Sequence, residues 1–255
     1  MREVIHLSAP APVHMADEWF KIASGSHFWI KRRFEVLRRI GNGVEFSAKK
    51  IGEIGCGYGL VQKQLEQRYG VSVDGFDLNV DALRDSVAGN QPRFCYNIFD
   101  RHARFAAHYD LLILFDVSEH IEPEKQFLDA ALYHLKEGGH LLINVPAFMC
   151  FYSRYDKVVG HQRRYTLQTL DGLCSSAGLK RTVGTYWGLP LVPILWLRNL
   201  RVSRVRDPRL VIQRGYRPPG RLANQLLSCL SRLEPIPQRL LGTSLMAIYR
   251  KEAAR

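Results

Sequence analysis

The sequence of 255 residues holds only five cysteines, Cys56, Cys95, Cys150, Cys174 and Cys229. None forms a C-x-x-C pair or stands with histidine at metal-ligand spacing. A disulfide framework and a zinc finger are therefore not expected, and the thiols read as reduced, in a cytoplasmic protein. No stretch of about 18 uninterrupted apolar residues occurs, so no membrane-spanning helix is expected. The segment Met1 to Pro10 lacks the apolar run of a secretory signal. Internal repeats and low-complexity tracts are missing too. Acidic residues are few against basic ones: 24 Asp and Glu face 36 Lys and Arg, a formal net charge of +12. That surplus suits an anionic partner, whether nucleic acid, a membrane surface, a phosphorylated substrate or an acidic carrier protein; the alternative is simply a basic, soluble surface. A hydrophobic content of 46% and a charged content of 24% fit one globular core with insertions.

What is present is organised around Ile51-Gly-Glu-Ile-Gly-Cys-Gly-Tyr-Gly-Leu60. A strand-like approach meets three glycines at alternate positions, Gly55, Gly57 and Gly59, with Glu53 two residues ahead, and Val61–Tyr69 reads as a helix. Such a turn brings backbone close to a ligand and offers the free N–H groups of a helix start. The dinucleotide fingerprint G-x-G-x-x-G would need glycine at position 60, where Leu60 stands.

Beyond the loop, short strands alternate with helices. Strands are expected at Val71–Phe76 (ending at Asp77), Arg93–Tyr96 (ending at Asn97), Tyr109–Phe115 and His140–Val145. Helices are expected at Asp81–Ala88 and from Glu122-Pro123-Glu124 to Lys136, stopped by Gly138-Gly139. This pattern predicts an α/β fold, an open and mostly parallel sheet with ligands at the carboxyl ends of its strands. Each chemically suggestive cluster follows a strand: the glycines, Asp77, Asn97 and Asp116-Val-Ser-Glu-His120. Residues 1–14 read as loose. Asp17 to Ile40 reads as helical in two pieces, its aromatics Trp19, Phe20, Phe28, Trp29 and Ile30's neighbourhood being packing or a lid. The long segment Pro146–Arg164 carries Phe148, Phe151, Tyr152 and Tyr155, followed by Gly160-His-Gln-Arg-Arg-Tyr165; loops of this length are usually functional. Thr166 caps a helix to Ala177, Leu179–Trp187 is a further strand, and Gly242–Arg250 is a last one. Between them, apolar Leu189–Leu197 and a stretch from Arg198 to Arg221 with eight arginines and one aspartate resemble an interfacial membrane contact; a cap over the substrate pocket or a dimer interface is the other reading.

The order E-x-G-x-G-x-G, Asp77, Asn97, D-V-S-E-H and K-E-G-G-H-L-L-I-N-V-P resembles class I S-adenosylmethionine (SAM) methyltransferases over residues ~48–185. It is most similar to the ubiquinone-type O-methyltransferase branch and to bacterial enzymes of lipid or polysaccharide pathways, which His27-Phe-Trp29 and H-Q-R-R-Y also resemble. The resemblance implies a Rossmann-like sheet of seven strands with strand seven antiparallel. It divides the chain into an N-terminal helical lid (1–43), a SAM-binding core (44–188), an apolar and basic insertion (189–241) and the last strand with its tail (242–255). SAM would be held by Glu53, Gly55, Cys56, Gly57, Gly59, Asp77, Leu78, Asn97, Ile98 and Asp116. Asp77 suits the ribose hydroxyls, and Asn97 the adenine edge, unless it only serves its turn.

Methyl transfer to a hydroxyl needs alignment and a base. His120 and His161 are the candidates for the base, with Tyr165 beside them in the catalytic set; Trp29, Tyr152, Arg163, Arg164 and Trp187 are expected at the acceptor. In the ubiquinone-type enzymes an acidic-x-x-Glu-His cluster is associated with a divalent metal, and Asp116, Glu119 and His120 match its spacing for Mg²⁺. Read from the residues alone, Asp116 and Glu119 order the cleft, and this reading is preferred. The acceptor is expected to be a small, amphipathic, lipid-linked or carrier-bound molecule methylated at oxygen, with an acyl carrier protein or an anionic membrane surface as partner and a peripheral membrane location as one option. The alternatives are a silent SAM-binding scaffold and an RNA methyltransferase. The latter is disfavoured because no D/N-P-P-aromatic motif follows the fourth strand and the arginines lack interleaved aromatics.

Overall fold

The computed structural model describes residues 3–11, 25–47, 49–89, 91–216 and 220–253. The first piece of the expected N-terminal helix, with Trp19 and Phe20, lies outside them. Eight strands form one sheet: β1 (Ile5–His6), β2 (Ile51–Ile54), β3 (Val73–Asp77), β4 (Arg93–Cys95), β5 (Tyr109–Phe115), β6 (Leu135–Pro146), β7 (Leu179–Trp187) and β8 (Ser244–Lys251). Their spatial order is β1-β4-β3-β2-β5-β6-β8-β7. The pairs from β1 through β6 are parallel, and β8 lies antiparallel between β6 and β7. The fold class is the expected one, and the antiparallel late strand is where it was placed. Among the described residues the strand count is eight, not seven, because the segment read as loose adds Ile5 and His6 to the free edge of β4.

The helices are α1 (Phe28–Ile40), α2 (Leu60–Tyr69), α3 (Val80–Arg84), α4 (Glu124–Tyr133), α5 (Arg154–Val159), α6 (Leu167–Ser176), α7 (Val192–Ser203), α8 (Pro208–Tyr216) and α9 (Arg221–Leu230). Strand β5 shows how the layers form. Side chains alternate across a strand. Leu111, Ile113 and Phe115 meet Val36 and Leu37 of α1 and Val61 and Leu65 of α2, while Leu112 and Leu114 face Phe127, Leu128 and Ala131 of α4. Both faces are covered, so the run YDLLILF is apolar almost throughout. Helix α4 stops at Tyr133, three residues before the expected end, because Leu135 already pairs with Tyr109 ahead of a register shift; Gly138 and Gly139 lie inside β6.

Five parallel strands end on one edge, at Ile54, Asp77, Cys95, Phe115 and Pro146. The glycine loop, Asn97, Asp116–His120 and the 147–165 segment therefore converge there. Over this edge α5, α7 and α8 build a small core of their own from Tyr155, Val159, Val202, Val211 and Ile212.

Candidate active site

The converging loops enclose a cavity of about 680 Å³. Its floor is the glycine loop. Gly55, Gly57 and Gly59 have φ of +74°, +50° and +70°, and a Cβ on Gly55 would lie inside the contact shell of Val117. Side-chain-free backbone at positive φ is what this turn requires. The N–H groups of Gly55 and Cys56 donate to the Phe76 carbonyl at 2.7 and 3.0 Å, and the Gly57 N–H donates to Asp77 Oδ2 at 2.8 Å. Asp77 Oδ1 accepts from the Asn79 N–H at 2.9 Å, so loop and carboxylate hold each other in place. Burial raises the Asp77 pKa.

Glu53 is buried beneath the loop, and its Oε2 makes no hydrogen bond among the described residues. Burial pushes its carboxyl up to about 8, against the pull of Arg33. Asp116, at φ +59°, closes the next strand end. Its carboxylate pairs with Arg33 of α1 and accepts from Asn144 Nδ2 at 2.7 Å. Arg33 itself is sandwiched between the rings of Trp29 and Phe115, 4.9 and 5.1 Å from their centroids. Helix α1 is thereby fastened across the cavity by a partly buried ion pair.

The third group of residues surrounds His161. Asp156, in α5, accepts from His161 Nδ1 at 2.8 Å and from Arg164 at 2.8 Å. Burial alone would raise the Asp156 pKa, but the His161 hydrogen bond and the Arg164 charge outweigh it and hold it at about 2. An ionised carboxylate only accepts, so Nδ1 carries a proton, and in the neutral ring the lone pair is then on Nε2. Nε2 lies 3.8 Å from Glu119 Oε1, beyond hydrogen-bond reach. Glu119 is fully buried, neither of its carboxylate oxygens is hydrogen-bonded among the described residues, and burial followed by the Asp116 charge raises its pKa well above the ordinary value. The His120 ring stands against His161, centroids 4.8 Å apart.

Of the residues expected at the site, Glu53, Gly55, Cys56, Gly57, Asp77, Leu78, Asn97, Ile98, Asp116, Trp29, His120, His161 and Arg164 line the cavity, whereas Gly59 starts α2 just outside it. Asn97 also accepts from the Phe99 N–H, so it serves its turn while facing the cavity. Tyr165, Tyr152, Arg163 and Trp187 do not line it. Tyr165 is buried, with its hydroxyl directed to Glu124 and its pKa raised by burial. Tyr152 donates its hydroxyl to the His161 carbonyl at 2.7 Å and so supports the loop from behind. Arg163 pairs with Glu124 and the Ile121 carbonyl. Trp187 is a core residue whose Nε1 donates to Asn144 Oδ1 at 2.9 Å. Asp156, Arg33 and Arg198 belong to the site without a motif to mark them; for Asp156 the Ser153-x-x-Asp156 capping box is the available signal.

The sequence model of a family described as "Methyltransferase domain" matches residues 29–182, well over half of the chain. The chain belongs to that family. It carries the class I, SAM-dependent form of the domain. Among curated proteins it is similar to the ubiquinone biosynthesis O-methyltransferase of Yersinia pestis (strain Pestoides F), 25% identical over 115 residues, which is 43% of this chain and 46% of that protein. The chain thus spans about half the length of the curated relatives it matches. Among solved structures it resembles a sarcosine dimethylglycine methyltransferase from Galdieria sulphuraria (TM-score 0.57, 14% identity, 87% of this chain and 84% of the other). It also resembles the methyltransferase in a Haloferax volcanii complex with the activator Trm112 (TM-score 0.60, 11% identity, 93% and 99%). At these identities the likeness is one of fold.

The cavity of this methyltransferase domain fits SAM. The positive-φ loop is a cradle that side chains would fill, and the orphaned Glu53 oxygen is a partner for a buried ammonium. It does not fit Mg²⁺ on the expected set. Asp116 is taken up by Arg33 and Asn144, and the groups that do converge are Glu119, His120 and His161, whose donor atoms lie within 4.8 Å of one another. One carboxylate with two imidazoles is a poor donor set for a hard, oxygen-seeking cation.

Proposed function

We propose that this methyltransferase domain transfers the methyl group of SAM to a hydroxyl oxygen of an amphipathic acceptor, with His161 as the base. When bound, SAM supplies a methyl on a positively charged sulfur that departs as the neutral thioether S-adenosylhomocysteine. The Gly55–Gly59 loop, Asp77 and Glu53 would hold the donor, and the Leu78, Asn97 and Ile98 side would receive its adenine. What the protein adds is orientation and a place for the acceptor's proton. His161 Nε2 takes and holds that proton, and the ionised Asp156 stabilises the imidazolium that results. Glu119, uncharged, leaves Nε2 open to the acceptor.

The observation that carries this reading is one continuous cavity joining the glycine cradle to an imidazole whose tautomer is fixed by a buried carboxylate. The similarity to an O-methyltransferase supports oxygen as the target. The walls toward the insertion support an amphipathic acceptor: Leu191, Leu195, Ile194 and Tyr155 are apolar, with Arg198 stacked on Tyr155 at 4.3 Å.

Calorimetry with S-adenosylhomocysteine and transfer of labelled methyl from SAM to a panel of hydroxylated aromatic and isoprenoid lipids test it. Binding, transfer, and a loss of about 10²–10⁴-fold in kcat for His161→Ala with binding intact are expected. Absence of S-adenosylhomocysteine binding would overturn the reading. Binding with no turnover on any acceptor would leave only the scaffold.

A further inference from the structure

We infer that the face built by α7, the 204–214 segment and α9 docks on an anionic lipid bilayer, and that the acceptor enters the cavity from that bilayer. The entry of the acceptor rests on the methyl-transfer reading above; the docking does not.

Helix α7 has two apolar faces. Leu195 and Val202 point inward and are buried, whereas Trp196 and Leu200 are 59% and 53% exposed. Helix α9 repeats the pattern more strongly. Leu222, Leu226 and Cys229 fall at i, i+4 and i+7, which is one stripe of the helix, and Leu233 follows in the turn after it. Leu222, Leu226 and Leu233 are 77%, 70% and 74% exposed. The opposite side of α9 is the one tied to the protein, where Asn224 accepts from the Phe28 N–H and Leu227 lines the cavity. An apolar stripe turned to water costs free energy unless something covers it.

The charge around these stripes names the occupant. From Val192 to Leu230 the sequence has eight arginines and a single acid, Asp207. Asp207 is spent on the Arg209 N–H at the start of α8. Arg201, Arg204, Arg206, Arg209, Arg214 and Arg221 are all exposed. Apolar side chains flanked by arginines match the acyl boundary and anionic headgroups of a membrane leaflet. A second copy of this chain would bring arginine against arginine. No helix among the described residues is long and apolar enough to cross a membrane, so the contact is interfacial.

The face is also continuous with the site. Ile194, Leu197, Arg201 and Arg214 line the cavity and remain exposed at its mouth. An acceptor with a lipid tail could keep the tail in the bilayer while its headgroup reaches His161.

Vesicle sedimentation with the full chain tests the docking. Binding to vesicles of phosphatidylglycerol and phosphatidylcholine is expected, with little on phosphatidylcholine alone and a decline as salt rises. Arg204→Glu with Arg209→Glu should weaken the vesicle partition at least about 25-fold, and Leu222→Glu with Leu226→Glu at least about tenfold. None of these four residues lines the cavity, so S-adenosylhomocysteine affinity and thermal melting should match the parent and show that the variants fold. Equal binding by parent and variants, or none by the parent, would overturn the proposal. So would a concentration-dependent dimer that Leu222→Glu/Leu226→Glu dissociates, or capture of an acidic acyl carrier protein by a chain that ignores vesicles.

Discussion

Glu53→Gln should make the domain more stable and a poorer binder of its cofactor at once. The Glu53 carboxyl is buried, its Oε2 has no hydrogen-bond partner among the described residues, and burial raises its pKa from 4.5 to about 8. Between pH 4.5 and 7 the unfolded chain releases this proton while the folded chain keeps it. The folded state binds more protons, so stability falls as pH rises through this interval and levels off above about 8. At 1.36 kcal/mol per unit, the 2.5 units up to pH 7 amount to about 3 kcal/mol at most. Glutamine has nearly the same shape and no charge to lose. The variant should therefore melt up to about 5–10 °C higher at pH 7 and show a flatter dependence of Tm on pH. Binding runs the other way. An ammonium beside Glu53 favours its ionised form, so S-adenosylhomocysteine should bind more tightly as pH rises from 6 to 7.5, with release of a proton. Glu53→Gln should lose that slope and about 10–100-fold in affinity, the worth of a charge-assisted hydrogen bond. Scanning fluorimetry gives the first quantity; calorimetry in two buffers of different ionisation enthalpy gives the second. A variant that melts lower than the parent at pH 7 and binds as well would show that Glu53 is ionised and structural, and would refute the reasoning.

Gly55→Ala puts a Cβ into Val117 at φ +74°; it should cost about 1–3 kcal/mol in a denaturant titration and at least tenfold in S-adenosylhomocysteine affinity by calorimetry. Asp156→Asn leaves the shape of the His161 site but no longer fixes the proton on Nδ1. It should lower kcat by about 10²-fold or more with cofactor affinity unchanged, and a pH–rate profile identical to the parent's would count against it. Transfer assayed with EDTA and with added Mg²⁺ should run at the same rate, because the Asp116 carboxylate is committed to Arg33 and Asn144; loss with EDTA and recovery with Mg²⁺ would reverse that conclusion.

The convergence of the glycine loop and the strand ends on one cavity was legible because its signals are local. Gly55, Gly57 and Gly59 stand within five residues, and the parallel sheet brings each strand end to the same edge whatever the tertiary detail. The acceptor half was less so. Trp187 ends a strand as site residues often do, yet β8 lies beside β7 and carries the indole into the core, where Asn144 satisfies it. Arg163 and Arg164 are neighbours in sequence, and only the second turns inward, since Asp156 lies on one side of the backbone and Glu124 on the other. Helix α4 ended early for a similar reason: the pairing of Leu135 with Tyr109 is a contact between distant segments, and Gly138-Gly139 gave no hint of it. Long-range pairing decided each case.

The distribution of charge in the cavity carries a further argument for the donor. Glu53 and Asp77 lie at its glycine-loop end, and Asp116, paired with Arg33 of α1, closes the strand end beside them. A dinucleotide would place a pyrophosphate there, and anions are held by cations or by a helix N-terminus left open to them. Here carboxylates border the loop, and Asp77 takes the Gly57 N–H that a phosphate would need. SAM carries a sulfonium and an ammonium, and an ammonium would draw Glu53 into its ionised form, so this end suits a cationic donor better than a pyrophosphate. The opposite end is lined by Arg198, Arg201 and Arg214. With carboxyl groups at the glycine loop and arginines at the far end, the cavity would favour a cationic donor at the first and, on the docking proposed above, an acceptor from an anionic surface at the second.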